Sequence, residues 1–121
     1  MANILVIDDD AAILDMLCQT LEREGYGVVT AFNGKEGMKI YREKPTDLII
    51  TDIIMPEKEG VETIRELTKE FPNIKIIALS GGGRIGAEDY LHIAKMLGAQ
   101  RTLTKPIERK ELLKMISEFL E

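Results

Sequence analysis

Short apolar runs of strand length alternate along this chain with longer amphipathic stretches of helix length. The apolar runs are bounded by polar residues, glycine or proline, and they predict five strands, at Ile4–Ile7, Val28–Ala31, Asp47–Thr51, Ile74–Leu79 and Arg101–Thr104. The amphipathic stretches predict five helices, at Ala11–Glu24, Lys35–Glu43, Val61–Phe71, Glu88–Leu97 and Glu108–Leu120. Alternation of this kind is typical of an α/β fold, in which a parallel sheet carries helices on both faces.

The predicted strands favour burial of both sheet faces. Leu48, Ile49 and Ile50 form an uninterrupted apolar run, whereas a strand with one solvated face alternates apolar and polar residues. Methionines in the predicted helices are expected to fill the core, at Met16, Met38, Met96 and Met115.

The composition fits one domain spanning residues 1–121. Hydrophobic residues make up 45% of the chain, which is enough for a core without disulfides or a structural metal. The formal net charge of -5 gives no electrostatic reason to bind nucleic acid. Neither a signal peptide nor a membrane span is visible. The single cysteine, Cys18, excludes an internal disulfide and favours a reducing, cytoplasmic compartment.

Polar side chains stand at the carboxyl ends of four predicted strands. Asp8 and Asp9 follow the first strand, and Asp52 follows the third. Ser80 and Lys105 follow the fourth and fifth strands. Because ligands of open parallel sheets bind outside the carboxyl ends of the strands, these residues predict a common site.

The chemistry of this set is that of a phosphoaspartate site. Clustered carboxylates raise one another's pKa unless a cation joins them, and a cluster with only oxygen ligands suits Mg²⁺ before Zn²⁺. A carboxylate beside Mg²⁺ can attack a phosphoryl group and form an acyl phosphate. A lysine can pair with one phosphoryl oxygen, and a serine hydroxyl can donate a hydrogen bond to another.

The motifs VIDDD, LIITDIIMP, IIALS and TLTKP occur in this order along the chain. Together they resemble the receiver domain of bacterial two-component response regulators, of the chemotaxis-regulator-like superfamily. The resemblance extends from Ile4 to Leu120. It implies a flavodoxin-like (βα)₅ fold, with a five-stranded parallel sheet in the order 2-1-3-4-5.

The resemblance also implies roles for individual residues. Asp52 would be the phosphoacceptor, and Ser80 and Lys105 would contact the phosphoryl group. The implied magnesium ligands are Asp8, Asp9, Asp52 and the backbone carbonyl of Ile54. Many members of this family have a cis peptide bond before the proline that follows the lysine, which is Pro106 here.

The implied function is phosphorelay signal transduction. The phosphoryl group would come from a sensor histidine kinase or a histidine phosphotransfer protein, and a conformational change would signal to an unknown downstream effector protein. The only catalysis implied is the protein's own phosphotransfer and autodephosphorylation, so we do not expect a conventional enzyme. We expect no direct contact with nucleic acid or membrane, and a monomer or weak dimer.

One position departs from the family pattern. Thr102 stands three residues before Lys105, where the family usually has an aromatic residue that swings inward on activation. We therefore expect the conformational signal to run through the glycine-rich loop at Ser80–Gly86 and the adjacent helix.

Two other functions fit parts of the pattern. The segment Ile4–Asp10 resembles the first motif of a haloacid dehalogenase-type phosphatase, with Asp8 as nucleophile and Asp10 as acid. That interpretation leaves Asp52 unexplained, and the chain is short for that family. The second alternative is an interaction module that has the same fold but does not depend on phosphate, and the missing aromatic at Thr102 favours it.

Three further features of the sequence are not expected to bind a ligand. Asp10 is expected to be the N-cap of the first helix. Gly81, Gly83 and Gly86 match the spacing of a dinucleotide-binding loop, but no acidic residue closes a following strand at the distance that the ribose contact needs. His92 lies alone in a predicted helix and has no cysteine or second histidine beside it, so it is not expected to bind a metal.

Overall fold

The computed structural model describes residues 2–53, 59–80 and 98–120. The strands are β1 (Asn3–Ile7), β2 (Gly27–Ala31), β3 (Leu48–Asp52), β4 (Ile76–Ser80) and β5 (Arg101–Thr104). The helices are α1 (Ala11–Arg23), α2 (Gly34–Glu43), α3 (Glu59–Glu70) and, at the end of the chain, α4 (Arg109–Leu120). The helix predicted at Glu88–Leu97 lies outside the described residues.

The five strands form one parallel sheet in the order β2-β1-β3-β4-β5. This topology confirms the doubly wound, flavodoxin-like arrangement predicted from the sequence. Strand β1 lies in the interior of the sheet, where it pairs with β2 on one side and β3 on the other. All five strands end at the same edge because they run in the same direction.

Two apolar layers cover the two faces of the sheet. Alternate residues of each interior strand enter opposite layers, as the pleat of a strand requires. The layer beneath α2 and α3 contains Leu5, Ile7, Ala31, Met38, Tyr41, Ile49, Ile53, Ile64, Leu67, Ile74, Ile76, Ala78 and Ala99. The layer beneath α1 and α4 contains Ile4, Val6, Leu14, Leu17, Leu21, Leu48, Ile50, Ile77, Leu79, Leu103, Leu112 and Ile116.

Side-chain caps fix the beginnings of α1 and α2 immediately after their strands. The Asp10 carboxylate accepts hydrogen bonds from the amides of Ala12 and Ile13, which confirms its predicted role as the N-cap of α1. The Asn33 side chain accepts from the amide of Glu36 and caps α2 in the same way. Each cap pairs a backbone N–H that the first turn of a helix leaves unsatisfied.

Some predicted strand boundaries were wrong by one or two residues. Asp52 and Ser80 are the last residues of β3 and β4, rather than the first residues after them. Both remain in the sheet, because Asp52 is in register with Leu79 and Ser80 with Thr104. β4 also begins later than predicted, at Ile76 instead of Ile74.

The methionine prediction was correct only in part. Met38 is buried, and Met115 packs against the core from a partly buried position. Met16 is 38% exposed, so its prediction as a core residue was wrong. It lies two residues after Leu14, which places it on the opposite side of α1 from the buried leucines. Met96 lies outside the described residues.

Within the described part of the chain, no helix has the length and apolar character needed to cross a membrane.

Candidate functional site

The ends of β1 and β3 place two buried carboxylates side by side. Asp8 directly follows β1 and is 0% exposed, and Asp52 ends β3 and is 3% exposed. Asp9 is exposed at the mouth of the same site. One carboxylate oxygen from each of these three residues lies within 4.8 Å of the other two. Such a concentration of negative charge is stabilised by a positive charge nearby.

Lys105 supplies a positive charge to both buried carboxylates. Its Nζ lies 3.0 Å from Asp8 Oδ2 and 3.2 Å from Asp52 Oδ2. The Lys105 side chain is only 18% exposed, so both ion pairs are largely shielded from solvent. The lysine is held in place by its backbone, since its amide donates to the Ser80 carbonyl at 2.7 Å. The peptide bond between Lys105 and Pro106 is cis, as the family pattern favours.

The two carboxylates determine the protonation of Lys105. Burial by itself would lower the pKa of the Lys105 ammonium. The hydrogen bond to Asp8 and the charges of Asp52 and Asp8 outweigh that effect, so the pKa lies above its ordinary value. Lys105 therefore carries a full positive charge at neutral pH.

Asp8 is held by both of its carboxylate oxygens. Asp8 Oδ1 accepts a hydrogen bond of 2.9 Å from the backbone amide of Asp10, and Asp8 Oδ2 is paired with Lys105. The Asp8 amide in turn donates to the Ala31 carbonyl at 3.1 Å, which continues the β1–β2 ladder beyond the strand. The carboxylate at this position therefore has a fixed orientation.

Ser80 places a buried hydroxyl at the end of β4. The residue is fully buried, and its Oγ has no hydrogen-bond partner among the described residues. A buried hydroxyl that lacks a partner is unfavourable by roughly 1–3 kcal/mol. Ser80 ends the strand that lies between β3, which carries Asp52, and β5, which precedes Lys105. A hydroxyl there is suited to donate to a ligand oxygen at this edge of the sheet.

The donor set fits a hard divalent cation. Each member of the three-carboxylate group offers oxygen, which is the ligand type that Mg²⁺ prefers in proteins. Two members are buried and one is exposed, so the group combines a fixed interior side with a solvent-facing side. This arrangement agrees with the cation chemistry predicted from the sequence.

The structure thus brings together Asp8, Asp9, Asp52, Ser80 and Lys105, all of which the sequence placed at strand ends. Several other predictions lie outside the described residues, namely the Ile54 carbonyl, most of the Ser80–Gly86 loop, the three loop glycines and His92.

Sequence reasoning missed two contacts at the site. It assigned Lys105 to a phosphoryl group, but did not predict that the lysine pairs with Asp8 and Asp52 in the protein by itself. It also treated Asp10 only as a helix cap and overlooked the hydrogen bond from its amide to Asp8. The second contact has a recognisable signal, because an aspartate often accepts from the amide two residues later.

The sequence matches one protein family model and several known proteins. The sequence model of the response regulator receiver domain matches residues 4–117. The transcriptional regulatory protein GlrR of Escherichia coli is 36% identical over 99% of this chain, which spans only 26% of that protein's length. PilH of Pseudomonas aeruginosa is 33% identical, with 99% of this chain and 98% of that protein covered. Chemotaxis protein CheY of Treponema pallidum is 31% identical, with 98% and 83% covered.

Solved structures show the same fold. A CheY-like receiver domain from Methanospirillum hungatei superposes with a TM-score of 0.90 at 33% identity, covering 99% of this chain and 94% of that one. TrrA from Thermotoga maritima, solved in complex with Mg²⁺ and BeF, gives a TM-score of 0.86 at 32% identity, covering 99% and 100%.

Proposed function

Because this chain belongs to the response regulator receiver domain family and serves phosphorelay signalling, we propose that Asp52 is the residue that accepts the phosphoryl group. The observation that carries the proposal is the position of its carboxylate. It is buried at the end of a central strand, 3.2 Å from the Lys105 ammonium, and shares one cluster with Asp8 and Asp9.

The reaction follows from the nature of this carboxylate. An oxygen of Asp52 attacks the phosphorus of the donor, and the bond between that phosphorus and the donor's nitrogen or oxygen breaks. The electron pair of the broken bond leaves with the donor, and the product is an acyl phosphate on Asp52. Hydrolysis of the acyl phosphate by water restores the carboxylate.

Asp8, Asp9 and Asp52 would hold Mg²⁺, and the Ile54 backbone carbonyl belongs to the same proposed ligand set. When bound, this ion would neutralise charge that develops on the phosphoryl oxygens. TrrA, which this chain resembles, was solved with Mg²⁺ and BeF, and that supports a similar ligand here.

Lys105 and Ser80 have the chemistry to receive the transferred group. The Lys105 ammonium already contacts Asp52, so it is positioned to pair with an oxygen of a phosphoryl group attached there. The Ser80 hydroxyl is buried and lacks a partner among the described residues, so a phosphoryl oxygen would satisfy it.

The donor is a sensor histidine kinase or a histidine phosphotransfer protein, and the signal passes to a downstream effector protein. The chain acts in the cytoplasm as a monomer or weak dimer, without direct contact with nucleic acid or membrane. Residues 1–121 form one receiver domain. Its catalysis is limited to its own phosphorylation and dephosphorylation, through Asp52, Ser80 and Lys105.

The test is phosphorylation by acetyl phosphate with Mg²⁺, followed by intact-protein mass spectrometry. We expect the wild-type chain to gain one phosphoryl group, and Asp52→Asn and Asp52→Ala to gain none. Reduction of the acyl phosphate with borohydride, followed by peptide mapping, locates the modified carboxyl group. Modification of Asp8 would contradict the proposal and favour the phosphatase mechanism. Absence of any modification, with acetyl phosphate and with a panel of histidine kinases, would favour the phosphate-independent interaction module.

A further inference from the structure

We infer that Asp10 is a positioning residue for the divalent cation site: by capping α1, its side chain holds its own backbone amide against Asp8. This inference rests on the proposed function, because it concerns the same carboxylate cluster. Asp10 is not itself a ligand in this scheme. It acts through the orientation of Asp8.

Asp10 donates a hydrogen bond to a residue before it in the chain and accepts hydrogen bonds from two residues after it. Its amide donates to Asp8 Oδ1 at 2.9 Å. Its Oδ1 accepts from the Ala12 amide at 2.9 Å and from the Ile13 amide at 3.4 Å. The Asp10 backbone is extended, with φ -93° and ψ 109°, as an N-cap residue requires. The cap therefore restrains the φ angle of Asp10, which is one of the torsions that orient its amide towards Asp8.

The hydrogen bond from the Asp10 amide to Asp8 can persist when a cation binds, whereas the ion pair between Lys105 and Asp8 opposes cation binding. Asp8 is fully buried, and its two oxygens are held by the Asp10 amide and the Lys105 ammonium. An ammonium and a divalent cation repel each other, so a cation that binds Asp8 weakens the Lys105 contact. The amide is a neutral donor and continues to hold Oδ1. Outer contacts of this kind orient metal ligands.

The Asp10 carboxylate is not placed among the ligands. Among the described residues, the group of carboxylate oxygens within 4.8 Å of one another consists of Asp8, Asp9 and Asp52. The Asp10 side chain is exposed and is directed to the first turn of α1. Its effect on a cation is therefore expected to run through the cap and the amide.

The experiment measures Mg²⁺ affinity by isothermal titration calorimetry in three variants of residue 10. Asp10→Ala removes the cap and should weaken Mg²⁺ binding by about tenfold, which is a typical loss for an outer contact to a metal ligand. Asp10→Asn and Asp10→Ser keep a capping oxygen without the charge. They should bind within about threefold of wild type, since they preserve the contact that orients the ligand.

The matched control is Asn33→Ala. Asn33 caps α2 by accepting from Glu36 and belongs to a different helix from the one that follows Asp8. Loss of the Asn33 cap should lower the melting temperature in EDTA about as much as Asp10→Ala does, but should leave Mg²⁺ affinity unchanged. An NMR signature accompanies the effect: the amide proton of residue 10 should move upfield in Asp10→Ala, as its hydrogen bond to Asp8 weakens.

Each contrary result has a defined meaning. Wild-type affinity in Asp10→Ala would overturn the inference and leave the proposed function intact. Equal weakening in the alanine, asparagine and serine variants would also overturn it, because the Asp10 charge itself would then act on the cation. If Asn33→Ala weakened Mg²⁺ binding as much as Asp10→Ala, the loss would reflect general helix stability, and this result would also overturn the inference. Failure of the wild-type chain to bind Mg²⁺ would overturn both this inference and the proposed cation site.

Discussion

Lys105 and Asp8 lie 97 positions apart in the sequence and form an ion pair of 3.0 Å at the edge of the sheet. The same ammonium contacts Asp52. It therefore stabilises both buried carboxylates through direct ion pairs.

Replacement of this lysine tests how much the metal-free fold depends on it. We expect Lys105→Met to lower the free energy of unfolding in EDTA by roughly 3 kcal/mol, because it removes the ammonium that pairs with two buried carboxylates. Added Mg²⁺ should restore more stability to this variant than to wild type, since the ion no longer competes with an ammonium. Urea denaturation with and without Mg²⁺ measures both quantities.

An exposed ion pair provides the control for this variant. Arg42 pairs with Glu70 at 2.7 Å, but both side chains are largely exposed. Arg42→Met should therefore change stability only slightly, in a manner that depends on salt, and should not alter the response to Mg²⁺. A loss in Lys105→Met as small as that in Arg42→Met would contradict the role assigned to Lys105.

The raised pKa of Lys105 predicts a loss of stability at alkaline pH. A group whose pKa is higher in the folded than in the unfolded protein contributes its full stabilisation below the unfolded pKa, which is about 10.4 for lysine. That contribution is lost as pH rises through the folded pKa. The stability difference between wild type and Lys105→Met should therefore be constant from about pH 7 to 9.5 and should shrink above about pH 10.4. Urea unfolding across this range measures it, and a difference that grows with pH would contradict the prediction.

Close packing of Gly37 against Ile7 predicts an unfavourable substitution. Gly37 lies in α2, and a Cβ added there would collide with the Cγ1 and Cδ1 atoms of Ile7. Alanine in place of glycine normally favours a helix by about 1 kcal/mol. Overpacking of a filled core costs about 1–3 kcal/mol, so we expect Gly37→Ala to be destabilising despite its higher helix propensity. Thermal or urea unfolding measures the net effect.

A double-mutant cycle separates the two contributions. Ile7→Val removes the Cδ1 atom, which lies nearest to the added methyl group. Gly37→Ala should therefore be less harmful in the Ile7→Val background than in wild type. Identical effects in both backgrounds would show that the clash does not determine the outcome.

The environment of Cys18 predicts a slowly reacting thiol. Its Sγ donates to Glu22 Oε1 at 3.0 Å, and this hydrogen bond, together with burial and the charges of Glu22 and Asp15, raises the pKa of the Cys18 thiol to about 11. Since only the thiolate is alkylated readily, we expect iodoacetamide to react at pH 8 many times more slowly than with an unperturbed cysteine. The rate should continue to rise up to about pH 11.

Two variants of acidic residues on α1 test the cause. Glu22→Ala removes the hydrogen bond and the nearest charge, so alkylation at pH 8 should accelerate at least several-fold. Asp15→Ala removes only the weakest of the effects on the Cys18 pKa and should change the rate little. Rapid alkylation of the wild-type protein, with a rate that levels off near pH 9, would contradict the assignment.

The pattern of apolar and polar residues along the chain was enough to predict the layers of the fold and the edge at which the site forms. Uninterrupted apolar runs such as Leu48–Ile50 indicate strands covered on both faces, and this favours a parallel sheet. Once the strands are parallel, their carboxyl ends share one edge. The polar residues after the apolar runs, among them Asp8, Asp52 and Lys105, must therefore approach one another. The general expectation that methionines fill the core was wrong for Met16, which lies on the exposed side of α1.

The contacts within the site depended on the tertiary structure. Lys105 follows β5, whereas Asp52 ends β3, and β4 lies between these strands. Neighbouring strands are about 4.8 Å apart, so the lysine side chain must cross the end of β4, where Ser80 lies, to reach both aspartates. Strand order and register fix the distances from Lys105 to the two aspartates. They arise from packing between segments distant in sequence, which residue spacing along the chain does not specify.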